Sequence, residues 1–72
     1  LPMNLQVNGD PRRLEPASSS ASLVSVIEAL GQDPRVVVVE HNGLIVPRSQ
    51  WEATSVCDGD TLEIVTIVGG GS

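Results

Sequence analysis

The stretch Leu23-Val24-Ser25-Val26-Ile27-Glu28-Ala29-Leu30-Gly31, with Val36-Val37-Val38-Val39 close behind it, decides the architecture of this chain. Leu23, Val26, Ile27 and Leu30 fall at i, i+3, i+4 and i+7, which makes a single apolar helix stripe. Upstream, Pro16-Ala17-Ser18-Ser19-Ser20 reads as a loop that supplies an N-cap serine. Gly31 is placed for the left-handed C′ position and Pro34 lies beyond the stop, so the helix is expected to end at or near Leu30. The four β-branched residues that follow read as a strand covered on both faces or lying centrally in a sheet.

Working outward, Met3, Leu5 and Val7 alternate with Asn4 and Gln6, the period of a strand with one buried face. Asn8-Gly9 signals a hairpin, with Arg12-Arg13-Leu14 as a short return strand and Asp10-Pro11 making the loop longer than the two-residue form. On the other side, Asn42-Gly43 ends the valine strand. Pro47-Arg48-Ser49-Gln50-Trp51 suits a short helical turn or irregular crossover. Asp58-Gly59-Asp60 turns into a last strand, Leu62-Glu63-Ile64-Val65-Thr66-Ile67-Val68. The order strand, strand, helix, strand, crossover, strand carries no repeat and no internal linker. It predicts an α+β fold, a β-grasp (ubiquitin-like) roll whose mixed sheet has one main helix packed on one face. The domain is expected over 1–68, with 69–72 as a flexible glycine tail.

Seventy-two residues make one domain, and a chain this short buries only about 60% of the surface its unfolded form exposes. That leaves little interior for a deep active site. With one Trp and neither Phe nor Tyr, the core must come from Val, Leu and Ile, a mix that suits strands. Nine acidic against four basic residues give a net charge of −5, which argues against nucleic acid or an anionic membrane and for a partner with a basic surface. No apolar run approaches the length of a bilayer span, so the expected location is the cytosol. The single cysteine, Cys57, cannot close an internal disulfide. Met3 reads as the natural start, with Leu1-Pro2 as added residues.

The usual catalytic sets are missing from the sequence. One His, one Cys and no G-x-x-x-x-G-K-[ST] element exclude the common zinc sites and a P-loop, and no cofactor or metal site is expected. His41 sits beside a turn, where a solvated histidine is the default. Cys57 beside Val56 reads as a small, semi-buried hydrophobe rather than a reactive thiol. Asp58 and Asp60 flank Gly59 without the further oxygen ligands of a calcium loop, and an acidic hairpin turn explains them better.

The last strand is more informative. With Leu62 and Ile64 facing the core, parity sends Glu63, Val65 and Ile67 outward. Val65 and Ile67, continued by Val68 and Gly69, read as a partner-docking segment. The plain alternative is that this end of the strand is buried on both faces. Gly69-Gly70-Gly71 beyond it forms an arm able to pass through a channel too narrow for side chains. From the tail alone, a fraying terminus or Gly/Ser linker is the simpler reading.

Taken together, Val36 to Trp51 with its Asn42 turn and Val46-Pro47-Arg48 step, Asp58-Gly59-Asp60, and the glycine end resemble the sulfur carrier proteins of bacterial thiamine biosynthesis. The resemblance covers nearly the whole chain. It implies that an ATP-dependent activating enzyme joins a C-terminal glycine carboxylate to AMP. Sulfur from a persulfide donor then makes a thiocarboxylate, which is delivered to thiazole synthase. The carrier itself would be no enzyme. The family usually stops at glycine, so Ser72 is expected to be removed, leaving Gly71 as the reactive terminus and Gly70 as the next candidate. Within the carrier class, a molybdopterin-synthase-like small subunit or a ubiquitin-like modifier stays open. Outside it, so does a non-carrier β-grasp interaction module.

Overall fold

The structure is a computed structural model and describes residues 2–16 and 18–67. Strand β1 (Met3–Val7) turns into β2 (Asp10–Leu14), and a short β3 (Ser20–Ser22) leads into helix α1 (Leu23–Ala29). Then come β4 (Val37–His41), β5 (Leu44–Ile45), a 3-10 turn at Arg48–Gln50, β6 (Ser55–Cys57) and β7 (Thr61–Thr66). Five strands form one mixed sheet in the order β2-β1-β7-β4-β5, with β1 and β7 parallel and the other pairs antiparallel. This is the expected β-grasp arrangement, its helix on one face.

The helix follows from its own residues. Ser22 is the N-cap, its Oγ accepting from the Ser25 backbone N–H at 3.3 Å. At the other end Gly31, at φ +81°, lets its N–H reach the Glu28 carbonyl while Gln32 N–H reaches that of Ile27. Those paired bonds make a Schellman stop, as the Gly31 placement predicts. The cap is Ser22 rather than a serine of the Pro16–Ser20 loop, because Ser20–Ser22 is drawn into pairing with β6. The stripe Leu23, Val26, Ile27 and Leu30 is buried against Met3, Leu5 and Val7 of β1, Val37 and Val39 of β4, and Leu62 and Ile64 of β7. Trp51 and Val56 close the core from the crossover side, and the Trp51 indole donates to the Val46 carbonyl at 2.9 Å.

Three sequence expectations need correction. The first hairpin is the two-residue form, with Asn8 at φ 52° and Gly9 at φ 85° and Val7 paired with Asp10. Pro11 lies within β2 because an edge strand can spare a donor. The valine strand does lie inside the sheet, between β7 and β5, but Val38 is exposed, so only one face is covered. The sheet also gains the small β5, and β3 and β6 form a separate two-stranded ribbon.

Candidate functional site

The candidate site is built on β7. Its burial alternates as sequence parity requires, with Leu62 and Ile64 inside and Glu63 and Val65 outside. Val65 is 62% and Ile67 56% exposed, which rejects burial of this end on both faces. Register carries the surface sideways: Val38 stands opposite Val65, and Ile67 N–H donates to the Val36 carbonyl. Val36 and Val38 are thereby added to the apolar patch. Sequence alone does not single them out, because four consecutive valines hide their own alternation. Only the pairing with β7 reveals it.

The start of β7 is held firmly. Asn8 acts as an extra strand residue, its Oδ1 accepting from Ile64 N–H at 2.7 Å and its Nδ2 donating to the Ile64 carbonyl at 3.1 Å. On the other side Asn42 accepts from Thr61 N–H through Oδ1, while its own N–H donates to the Thr61 carbonyl. Both residues sit at positive φ in Asn-Gly turns, where asparagine is tolerated better than most side chains. The turn before β7 is tied in as well. Asp58 accepts from Asn4 N–H at 2.7 Å, and Asp60 accepts from Cys57 N–H at 2.9 Å and contacts His41 Nε2 at 2.7 Å. Partial burial pushes the Asp60 carboxyl up, but hydrogen bonds from Cys57, His41 and Asn42, with the His41 charge, outweigh it and hold it below its ordinary value.

His41 is therefore a half-buried turn anchor and not a solvated side chain. Cys57 is exposed, not semi-buried, because β6 turns Val56 inward and its neighbour outward. Neither meets the other as a catalytic pair. Among the described residues no group of three His, Cys, Asp or Glu side chains could hold a metal ion. A groove of about 370 Å³ between Met3, Leu14, Ala21, Val26 and Ala29 has no ionisable side chain in its lining. The patch residues Val65 and Ile67 are described; Val68, Gly69, Gly70, Gly71 and Ser72 lie outside the described residues.

The profile of the ThiS family matches residues 5–71. A thiazole synthase of Paramagnetospirillum magneticum is 44% identical over 97% of this chain, which spans about a fifth of that relative, 21% of its length. The sulfur carrier protein ThiS of Bacillus subtilis is 28% identical over 93% of this chain and 98% of its own. A crystal structure of the thiamine biosynthesis protein ThiS from Geobacter metallireducens superposes with a TM-score of 0.79 at 37% identity, covering 96% of this chain and all of that one. The chain belongs to the ThiS family.

Proposed function

We propose that this chain carries sulfur for thiazole formation as a thiocarboxylate on its C-terminal glycine, Gly71 or, failing that, Gly70. The observation that carries the reading is an exposed apolar patch, Val65 and Ile67, where a ThiS-family domain leads into a glycine run. An ionised carboxylate is a poor electrophile. In the activating enzyme its oxygen attacks the α-phosphate of ATP, pyrophosphate leaves, and an acyl adenylate results. The terminal sulfur of a persulfide attacks that carbonyl and AMP departs. A thiol then takes the other sulfur atom of the acyl disulfide, which frees the thiocarboxylate for a thiazole synthase. Glycine serves because nothing at Cα crowds the carbonyl under attack. The domain supplies no catalytic group and works in the cytosol.

Energetics explain why a folded domain holds the tail. Ordering three glycines costs roughly 3–6 kcal/mol, which a tail without side chains cannot recover. Burying Val65 and Ile67 on a partner, together with Val68 and Gly69 in the docking segment, returns roughly 3–6 kcal/mol from the two side chains alone. The terms nearly cancel, so association is reversible, as a carrier serving two enzymes requires.

The test incubates chains ending at Ser72, Gly71 and Gly70 with the activating enzyme, ATP and a persulfide donor. It reads ATP–pyrophosphate exchange and intact mass. Exchange highest for the Gly71 form, with an oxygen-to-sulfur mass change, supports the proposal. A Gly70 optimum moves the reactive residue by one, and no exchange by any form overturns the carrier reading. Ser72 should slow exchange, since a channel fitted to glycine accepts an added hydroxymethyl group only with strain.

A further inference from the structure

The outward face of β4 and β7 is not apolar throughout. Glu40 stands directly opposite Glu63, and Ile45 of β5 stands opposite Glu40 on its other side. Like charges directly opposite destabilise a sheet. No ion pair relieves them: among the described residues the pairs are Arg13–Glu15, Arg35–Asp33 and His41–Asp60. Arg13, opposite Asn4 in β2, stands at the far edge of the sheet and is engaged by Glu15. The two carboxylates adjoin the aliphatic patch of Val36, Val38, Val65 and Ile67. The free domain thus tolerates a repulsion that a cation between the glutamates would reverse.

Resting on the carrier reading above, we infer that Glu40 and Glu63 receive an arginine or lysine side chain presented by the activating enzyme from an aliphatic surface. Charge complementarity selects that partner. Two opposed carboxylates beside an exposed aliphatic patch, on a chain of net charge −5, fit a cation carried on an aliphatic partner surface. Adenylation draws on the tail carboxylate and ATP, and Glu63 lies eight residues before Gly71, a span of up to about 29 Å. The pair is therefore assigned to capture and register, and not to chemistry.

The experiment uses whichever of the three chain ends exchanges best and measures ATP–pyrophosphate exchange against carrier concentration for Glu40→Gln, Glu63→Gln and the double variant, with thermal midpoints and calorimetric binding to the activating enzyme and to a thiazole synthase. Each single change should raise KM about three- to tenfold and the double about ten- to a hundredfold, with kcat within about twofold. Thermal midpoints should stay level or rise as repulsion is removed. Raising ionic strength should raise KM for the parent chain and leave the double variant nearly flat. Glu63→Lys, which gives Glu40 a cross-strand partner in the free domain, keeps the test open should a glutamine variant misfold. It should bind worst of the single changes. Unchanged KM in folded variants, or a fall in kcat at constant KM, overturns the inference while leaving the carrier reading intact. Weakened binding to thiazole synthase alone reassigns the pair and also overturns it. Absence of exchange in every parent form, ending at Ser72, Gly71 or Gly70, overturns the carrier reading itself.

Discussion

The two halves of β7 are built differently. From Thr61 to Ile64 the strand is gripped from both sides, by β1 and the Asn8 side chain on one edge and by β4 and Asn42 on the other, over buried Leu62 and Ile64. From Val65 through Ile67, one residue past the strand, the pairing runs only to β4 and the Val36 carbonyl, and Val65 and Ile67 are exposed. Both halves are rich in β-branched and aliphatic residues, so composition does not separate them. Position relative to the end of β1 does. A carrier needs a fixed base from which a reactive arm is presented, and a surface beside that arm that a partner can cover and leave.

The sharpest way to break this contrast is substitution within each half. Leu62→Ala, at a position fully buried in the core, should cost about 2–5 kcal/mol in denaturant unfolding. Val65→Asp or Ile67→Asp should cost about 1 kcal/mol or less, yet weaken calorimetric binding to the activating enzyme. Unfolding by either aspartate would show that the outer half is structural after all, and unchanged binding in a folded variant would show that it is not the docking surface.

A smaller effect tests the grip alone. Asn8→Gly keeps a residue suited to φ 52° and removes both side-chain bonds to Ile64. A loss of about 1–3 kcal/mol is expected, with hydrogen exchange of the Ile64 amide speeded more than that of Val39. A uniform change across the sheet would mean that Asn8 acts through the turn and not as a surrogate strand residue.

Much of this division was legible in the sequence, and the illegible parts share a cause. The helix stripe, the alternation of β1 and β7 and the Asn-Gly turns are local patterns, each fixed by a few neighbouring residues. The family resemblance added the glycine chemistry. Ser20-Ala21-Ser22, by contrast, carries no strand pattern; it becomes β3 because Ser55-Val56-Cys57 lies alongside. Asn8 and Ile64 meet across 56 positions of sequence, and His41 and Asp60 across 19. Long-range polar bonds of this kind leave no period to read. The exposure of Cys57 is illegible for a related reason, since in a three-residue strand the side facing the core is decided by pairing.

The turn before β7 offers a weaker perturbation with a defined pH signature. Hydrogen bonding holds Asp60 below its ordinary value despite partial burial. A carboxyl depressed on folding adds stability above its unfolded pKa of about 3.9. That stability is lost as pH falls through the lower folded value. Asp60→Asn should therefore cost about 1–2 kcal/mol at neutral pH and flatten the fall in stability below about pH 4. Parent and variant curves that stay parallel down to the acid limit would show that the Asp60 charge does not hold the base of β7.

The smallest expected change is at Cys57, and its near-absence is informative. The thiol is exposed on β6, and what the residue gives the structure is backbone: its N–H donates to the Asp60 carboxylate, its carbonyl accepts from Asp60 N–H, and it pairs with Ser20. Serine keeps that N–H and nearly the same shape, so Cys57→Ser should alter stability by about 0.5 kcal/mol or less. Exposure raises the stakes of the sulfur test, because an accessible thiol could accept sulfur from a persulfide by exchange, in competition with the tail. Reactive cysteines commonly have a cationic or metal neighbour. The His41 ring is turned to the Asp60 carboxylate instead. The serine variant should therefore gain its sulfur at the C-terminus at the parent rate, as read by peptide-level mass spectrometry. A folded variant that no longer gains it would move the chemistry from the glycine run proposed to carry it to the turn at the base of β7, and the contrast between the two halves would lose its functional meaning.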